Sequence, residues 1–439
     1  MLKRIAVFSC AVFLGARPSS GQEPVIPDKL TLAEAVRSAV ERNPSLAAAR
    51  SDVDIANAVR LDVSRRLNPA LTFESEGWHP TGQTARSPFF NNQELTFRFD
   101  QEIERAGRRA LRTAVADAAL DAVRARADDA RRLLTLDVQR AYFQAVLATV
   151  DRDVARVSLQ EIDQAIGLNR SRFEGGEISG GELRRLQVER LRFVDDVFAA
   201  ELALRNARSA LLVLMNVTTL GQPFEVTEPL AASPATTPPT APGIVSAVLT
   251  GAIGAQAPTL VADAIVRRPD VIAAQREVLR ADTETRLQRA PRTPNLTIGG
   301  GYRREFGTDA VVVGATVPLP LFNRNQGGVL RAEAERRQAA SRARTTELAV
   351  RLDVQQAANA VDVNRERVQY IEREYLTTAR ESRDIVLASY KVGAADLIDF
   401  LDAQRAFRDT LRTYNRALYE QRVSLFELAA ATAQPPGQQ

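Results

Sequence analysis

Apolar residues recur at heptad spacing through two long segments of the chain. In the first segment these residues are Leu136, Phe143, Leu147, Val150, Val154 and Val157. In the second they are Val354, Ala358, Val361, Val368, Ile371 and Tyr375. Such spacing is typical of helices that pack along a continuous seam. We predict helices over 108–170 and 328–389, each roughly 60 residues and about 90 Å long.

Glycine-containing turns follow both long helices and predict helical hairpins. The first turn, GGEISGG, precedes a helix that returns to about Met215, and the second, KVGAAD, precedes a helix that returns to about Ala431. A further helical pattern runs from about Thr31 to Arg66 and restarts at Pro44.

Four short segments alternate apolar and polar residues and predict β-strands. They cover 70–76, 94–101, 295–303 and 309–317. In the second strand Leu95, Phe97 and Phe99 share one face, as Val311 and Val313 do in the fourth. Strands of this kind suit either a half-buried sheet in water or the wall of a membrane barrel.

The chain contains the same arrangement twice. Pro44 aligns with Pro269 at an offset of 225, and the same offset carries Pro69 onto Pro294. The two turns align at an offset of 217, so that Gly176 matches Gly393. We therefore predict repeats at 22–220 and 259–432. The Pro-, Ala- and Thr-rich segment 221–258 is predicted to be an extended connector without its own core, and 433–439 a flexible tail.

The predicted strands lie at the ends of long hairpins, where little sequence remains to cover their apolar face. In lipid, a four-stranded sheet would leave unpaired edges, and single-chain membrane barrels begin near eight strands. Several copies must then share one barrel. Three copies would supply twelve strands above a tube of twelve helices.

The N-terminus has the pattern of an export signal. Lys3 and Arg4 precede an apolar stretch over 5–16, and small residues follow at 19–21, which predicts a signal peptide over 1–21. The single cysteine, Cys10, lies inside it. A lipid anchor and a cytoplasmic protein with an apolar N-terminal helix remain alternatives.

Composition argues against several other classes. The 58 Lys and Arg and 54 Asp and Glu residues are dispersed, whereas nucleic-acid binding needs a basic face, so no nucleic-acid partner is expected. His79 is the only histidine, and there are two methionines. This composition offers no metal-ligand set, no cofactor motif and no catalytic constellation, so we expect a protein that is not an enzyme.

The order of motifs resembles the TolC-type outer-membrane efflux proteins. The resemblance rests on LTLAEAV with NPSLAAAR, the duplicated proline landmark, the two glycine turns, and VPLPLFNRNQG before an Ala-rich helix. VPLPLFNRNQG and QEIERAGRR are most similar to the heavy-metal (CzcC-like) branch. The resemblance implies a homotrimer, a shared 12-stranded β-barrel in outer-membrane lipid, and an α-helical periplasmic tunnel. It also implies a periplasmic adaptor (membrane fusion) protein and an inner-membrane RND-type pump as partners.

The same resemblance implies a channel gate at the hairpin ends. Asp399 and Asp402 fall on the family's gate aspartates, and Glu182 falls on the acidic position of the first repeat. Carboxylates repeated by three copies at a constriction favour cations. An ordinary solvated helix face is the alternative. Ala395 stands where the best-known member has an arginine that locks the end, whereas Tyr390 is retained.

Two further sets of residues are candidates for function. The adaptor is expected to dock at the hairpin tips, which carry Phe173, Gly176, Glu177, Tyr390, Gly393 and Ala395. At the barrel-to-tunnel joint, Pro318 and Pro320 cannot donate to a sheet ladder and are expected to end the last strand. Asn323 and Arg324 then lead into the long helix.

The function predicted is a passive trimeric duct of a tripartite efflux system, with heavy-metal cations as the cargo that the resemblance suggests. Two alternatives stay open. One is an exported soluble coiled-coil scaffold or adhesin. The other is the outer-membrane component of drug efflux or type I secretion.

Overall fold

The computed structural model describes residues 26–77, 94–231, 253–305 and 308–434. The predicted signal peptide and the loop containing Trp78 and His79 lie outside these ranges. The first repeat contains β1 (Lys29–Leu30), α1 (Leu32–Arg42), α2 (Pro44–Ser64), β2 (Ala70–Glu76), β3 (Glu94–Ile103), α3 (Arg108–Glu174) and α4 (Gly180–Leu214).

The second repeat follows the same order. After β4 (Glu225–Val226) it contains α5 (Ala257–Arg267), α6 (Pro269–Arg289), β5 (Leu296–Glu305), β6 (Thr308–Thr316), α7 (Gln326–Tyr370), α8 (Thr377–Lys391) and α9 (Leu397–Ala431). Both repeats break their first helix at the aligned position, since α1 ends before Pro44 and α5 ends before Pro269. Proline is favoured at the first position of a helix, so each break starts a new helix at the proline.

The first long helix is continuous, but its buried seam differs from the predicted one. Over its upper part Phe143 and Leu147 are buried as expected, whereas Val157 is 54% exposed. After Val150 the buried positions of α3 are Ala155, Ser158, Ile162, Ala165 and Asn169. A straight helix of 3.6 residues per turn drifts against a strict heptad, which moves the seam by one position.

The second long helix is not continuous, which corrects the prediction of one helix over 328–389. A π-helical turn over Ile371–Leu376 separates α7 from α8. The extra residue in such a turn rotates every later position around the axis. Tyr375, expected in the seam, is therefore 54% exposed, while Ile371 remains buried.

The largest core lies midway along the helices. It joins Tyr142 and Phe143 of α3 to Phe426 of α9, and Leu30 of β1 packs against them. The Tyr142 hydroxyl donates to the Leu30 carbonyl at 2.8 Å. This cluster ties the start of the chain to both hairpins.

Both ends of the connector pack against the cores of the repeats where they are described. β4 pairs in parallel with β1, and Phe224 is buried in the central core. At the other end Ile253 starts a 3₁₀ turn and is buried against α7, and α5 begins at Ala257. Apolar side chains at both ends anchor the segment, and residues 232–252 lie outside the described ranges. At the C-terminus, the Gln434 amide donates to the Ala429 carbonyl at 3.1 Å.

Four strands form one antiparallel sheet in the order β2-β3-β5-β6. Its register places Phe73 opposite Phe97, Phe97 opposite Tyr302, and Tyr302 opposite Val311. The central pairing of β3 with β5 therefore joins the two repeats. Within the described residues, β2 and β6 each have one free edge.

The two faces of this sheet differ in polarity. One face is apolar and exposed over Leu71, Phe73, Phe97, Phe99, Ile298, Val311 and Val313. The other carries charged residues, among them Arg98 and Asp100 of β3. An exposed apolar sheet face needs a cover other than water. Among the described residues, no helix combines the length and the apolar character that crossing a membrane requires.

Candidate functional site

At both hairpin tips, a glycine in the left-handed backbone conformation reverses the chain. Gly176 and Gly393 have φ angles of 76° and 79°, which glycine adopts without strain. In the first tip the Glu177 amide donates to the Arg172 carbonyl at 2.8 Å, and in the second the Ala394 amide donates to the Ser389 carbonyl at 2.9 Å. This is the hydrogen-bond pattern of a glycine-terminated helix. Phe173 is 45% exposed at the first tip.

Glu182 belongs to the cap of α4. Its amide donates to the Ser179 hydroxyl at 3.2 Å, and its carboxylate accepts from the Ser179 amide at 3.3 Å. This reciprocal capping box satisfies two amides at the start of the helix. Glu182 therefore has a structural role at the tip. In the second repeat Asp396 caps α9 by accepting from the Asp399 amide at 2.9 Å, which leaves the Asp399 carboxylate outside the cap.

Asp399 and Asp402 lie together in a groove between α8 and α9. The groove has a volume of about 430 Å³, and Ser382, Ser389 and Ala395 also line it. Ala395 adds only a methyl group here, so the groove stays open beside the two carboxylates. Asp402 forms an ion pair with Arg405 at 3.1 Å. Its negative charge is therefore partly balanced, and that of Asp399 is not balanced by any ion pair in the described part of the chain.

Tyr390 is the centre of the contact between the two hairpins. Its side chain is buried and its ring stacks on Phe400 with the centroids 4.8 Å apart. The Asn169 amide of α3 donates to its hydroxyl. Arg172 donates to the carbonyls of Tyr390 and Lys391 at 3.0 and 2.8 Å, with its guanidinium over the tyrosine ring. Burial raises the pKa of Tyr390, so the phenol stays protonated.

Sequence reasoning assigned no role to Asn169 or Arg172. Both precede the tip glycine on α3, and Asn169 occupies a buried position of the seam. A polar residue in an apolar seam is the one signal that could have indicated this contact.

Ion pairs continue the junction above the tip. Arg408 of α9 lies 2.6 Å from Asp196 of α4, and Arg383 of α8 lies 2.9 Å from Glu161 of α3. Arg405 also contacts Glu189 of α4. These bridges connect the second hairpin to both helices of the first.

The polar face of the sheet is shaped by glycines. Arg98 and Asp100 form an ion pair at 2.8 Å beside Gly299 and Gly301 of β5. A Cβ atom at Gly299 would lie 1.9 Å from the Asp100 carboxylate, and one at Gly301 would lie 2.1 Å from the Phe97 carbonyl oxygen. Gly299 therefore leaves room for the charged pair, and Gly301 lets the backbones of β3 and β5 approach closely.

The segment after β6, expected to form the barrel-to-tunnel joint, contains several local hydrogen bonds. The ladder ends at Thr316, just before Pro318 and Pro320. The Asn323 side chain accepts from the Asn325 amide at 2.9 Å, and Arg324 donates to the Pro320 carbonyl at 3.3 Å. The residue that reverses the backbone is Asn325, with a φ of 61°, and its side chain donates to the Gln288 carbonyl at 2.9 Å.

The first-repeat joint uses a different turn. Ala106 and Gly107 both have positive φ, and Glu104 forms an ion pair with Arg112. Asn295 of the other repeat accepts from the Arg105 amide at 3.2 Å, which fixes this joint to the start of β5. The described residues contain no cluster of three side chains suited to holding a metal ion.

Two tandem helical hairpins that carry a four-stranded sheet with one exposed apolar face define the TolC class of outer-membrane channel protomers. The chain belongs to the outer membrane efflux protein family, whose model matches residues 35–217 and 260–434.

Individual relatives agree with this assignment. The cobalt-zinc-cadmium resistance protein CzcC of Cupriavidus metallidurans is 24% identical over 388 residues, which cover 87% of this chain and 86% of CzcC. The pyoverdine export outer membrane protein OpmQ of Pseudomonas putida is 30% identical over 182 residues, 38% of this chain and 36% of OpmQ. The solved structure of VceC from Vibrio cholerae superposes with a TM-score of 0.74 at 18% identity, covering 92% of this chain and 96% of that one.

These comparisons confirm the family resemblance and the fold class predicted from the sequence. The protein is an outer-membrane component of efflux systems that extends into the periplasm.

Proposed function

We propose that three copies of the chain form one passive duct, with the sheets joined into a 12-stranded barrel and the hairpins into a periplasmic tunnel. The observation that carries this proposal is the sheet itself, with its exposed apolar face, its polar opposite face and its free edges. Joining β6 of one copy to β2 of the next would remove every edge, as a lipid environment requires. A soluble scaffold or adhesin offers no cover for the apolar face, so this alternative is not favoured.

The tunnel would end at the hairpin tips, where a periplasmic adaptor and an inner-membrane RND-type pump would connect. Support comes from the exposed tip residues Phe173, Glu177 and Gly393, together with membership of the efflux family. Three copies of Asp399 would place uncompensated carboxylates around the lower opening, with Asp402 in a secondary role because of Arg405.

Cations are the cargo that the charges favour. By strand register, the polar face of the sheet carries more carboxylates than arginines. The carboxylates are Glu74, Glu76, Glu94, Asp100, Glu102 and Glu305, and the arginines are Arg98 and Arg303. If this face lines the barrel, its potential is negative and attracts cations. The similarity to CzcC, a cobalt-zinc-cadmium resistance protein, supports metal cations within that class.

Two measurements test this proposal. The mass of the native protein in detergent is expected to correspond to a trimer, and a monomer or dimer would contradict the shared barrel. In planar bilayers the trimer is expected to conduct with a preference for cations. A conducting trimer that prefers anions would leave the duct in place and overturn the assignment of its cargo.

A further inference from the structure

Exposed arginines surround the boundary between the sheet and the helices. The chain crosses this boundary four times, before β2, after β3, before β5 and after β6. Each crossing carries at least one exposed arginine. Together these six residues, the arginine collar, are Arg65, Arg66, Arg105, Arg109, Arg292 and Arg324.

The collar is not neutralised by its own chain. In the described ranges no ion pair involves a collar arginine, whereas the neighbouring Arg112 and Arg289 pair with Glu104 and Glu333. The nearby Glu102 carboxylate accepts a hydrogen bond from Asn295 at 2.6 Å. Glu102 keeps its charge, because the asparagine donor is neutral, but Glu104 and Glu333 are taken up by other arginines, and no collar arginine forms an ion pair within the described residues.

An exposed apolar segment, the apolar hook of residues 317–322, adjoins the collar. Leu319, Leu321 and Phe322 are 72%, 65% and 94% exposed. Val311 and Val313 lie on the exposed sheet face, and Val317, the first residue of the hook, follows directly after β6. The apolar surface of the sheet therefore continues past the end of β6.

The backbone of the hook is also suited to an apolar surrounding. Pro318 and Pro320 have no amide hydrogen, and the Leu321 amide donates to the Leu319 carbonyl at 2.9 Å. Three of the amide positions in this short segment thus need no hydrogen bond from water. Burying such a segment in lipid costs less than burying an ordinary extended chain.

The length of the strands fixes the level of the collar. β3 has 10 residues, or about 33 Å, and a strand tilt of about 40° reduces this to an apolar band of roughly 25 Å. The collar then lies where the head groups of the periplasmic leaflet lie. Arginine binds phosphate through paired hydrogen bonds, and long side chains at this level extend towards the head groups.

We propose that the joint is a docking surface for anionic phospholipid of the periplasmic leaflet, with the hook among the acyl chains and the collar on the phosphate groups. The proposal rests on the proposed barrel, because the sheet must stand in the membrane. Anionic lipid is favoured over zwitterionic lipid since the latter carries its own cation beside each phosphate. A second copy of the chain is a poorer occupant, because few free carboxylates at this level could face the collar.

The first test compares lipid retention by two variants of equal charge. The collar variant R66Q/R105Q/R292Q/R324Q removes one arginine from each crossing. The control variant R336Q/R337Q/R342Q/R344Q removes four exposed arginines of α7 that form no ion pair within the described residues. Native mass spectrometry of trimers in micelles doped with equal phosphatidylglycerol and phosphatidylcholine measures the ratio of retained lipids.

Each arginine near an anionic surface raises the preference for anionic over zwitterionic lipid by on the order of fivefold. We expect the wild-type trimer and the control variant to retain phosphatidylglycerol preferentially. For the collar variant, we expect the ratio of retained phosphatidylglycerol to phosphatidylcholine to be at least about tenfold lower. Equal retention of both lipids by the wild type, or an equal loss in both variants, would overturn the proposal.

The second test locates the hook. Trp78 is the only tryptophan, so W78F/F322W carries a single fluorophore in the hook and W78F/L348W carries one on the exposed face of α7. In vesicles of brominated phosphatidylglycerol, we expect quenching at position 322, stronger for bromine near the head group than deep in the chain, and none at 348. Absence of quenching at 322 in a conducting trimer would overturn the docking surface and leave the duct intact. Failure to form a conducting trimer would instead contradict the proposed function.

Discussion

The side-chain amide of Asn169 on α3 donates a hydrogen bond to the hydroxyl of Tyr390 on α8, and so joins the two hairpins just above their tips. Both residues are buried, and Tyr390 also stacks on Phe400. Ala395 at the same tip has no side-chain donor, and the Asn169–Tyr390 hydrogen bond connects the two hairpins there.

Removing the Tyr390 hydroxyl should loosen the tip. Y390F leaves the Asn169 amide with one bond fewer in a buried position, which costs about 1–3 kcal/mol. We expect a larger single-channel conductance or more frequent opening in planar bilayers. Y370F is the matched control, since Tyr370 is 58% exposed on α7. Equal conductance of Y390F and wild type would show that this bond does not hold the tip.

The two aspartates of the groove should contribute unequally to ion selectivity. D399N removes an uncompensated carboxylate, whereas D402N removes one that is paired with Arg405. We expect D399N to lower the cation preference and the block by divalent cations more than D402N does. Reversal potentials in a salt gradient measure the difference, and D54N, on α2 away from the tip, serves as the control. A larger effect of D402N would contradict the assignment.

Adjacent glycines of β5 should differ sharply in their tolerance of a methyl group. At Gly299 a Cβ would lie 1.9 Å from the Asp100 carboxylate, while at Gly300 it would make an ordinary contact of 3.7 Å with Val313. We expect G299A to lower the melting temperature of the trimer. We expect G300A to leave the melting temperature unchanged and to change the free energy of unfolding by no more than about 0.5 kcal/mol. The same melting temperature for both variants would show that the charged pair moves aside freely.

Acid should weaken the start of α6 through Asp270. Burial opposes the charge of this carboxylate, but hydrogen bonds from the buried Arg268 outweigh it and hold the pKa of Asp270 below its usual value of 3.8. A lowered pKa gives stability that is present above the ordinary pKa and is lost as pH falls through the lower one. We expect D270N to be less stable than wild type at neutral pH, and the difference to shrink below about pH 4.

Thermal unfolding from pH 3 to 7 tests this expectation. Asp270 also accepts from the Val271 amide at 3.0 Å, but the side-chain oxygen of D270N can keep that bond, so the pH-dependent difference reports the ion pair with Arg268. R268Q provides a second measure, since it leaves Asp270 partly buried without its partner and should cost about 3–5 kcal/mol. A pH-independent difference between D270N and wild type would contradict the ionic explanation.

The sequence was most informative where a pattern is local. β2 has the predicted bounds because its alternation is framed by Pro69 and Gly77, and the tips were predicted from Gly176 and Gly393. β3 extends past the predicted end because Glu102 and Ile103 continue the alternation. These features depend on residues that are neighbours in the chain.

Features that depend on distant partners were missed. The Asn169–Tyr390 contact joins residues in different repeats, and no spacing rule could pair them. The π-turn at 371–376 has no local breaker such as proline, so the heptad pattern predicted an unbroken helix. The anchoring of Phe224 in the core likewise depends on α3 and β1, which the composition of the connector does not reveal.

The pairing of β3 with β5 has a consequence for the order of folding. Ile103 meets Leu296 across about 190 residues of chain, and closing so long a loop is slow compared with forming a helical hairpin. The α3–α4 hairpin can form as soon as it emerges, whereas the continuous apolar face of the sheet cannot exist until the second repeat arrives. The exposed apolar face, a surface prone to aggregation, is therefore completed only after the second repeat has been made, and in the proposed barrel its free edges are then available to pair with other copies.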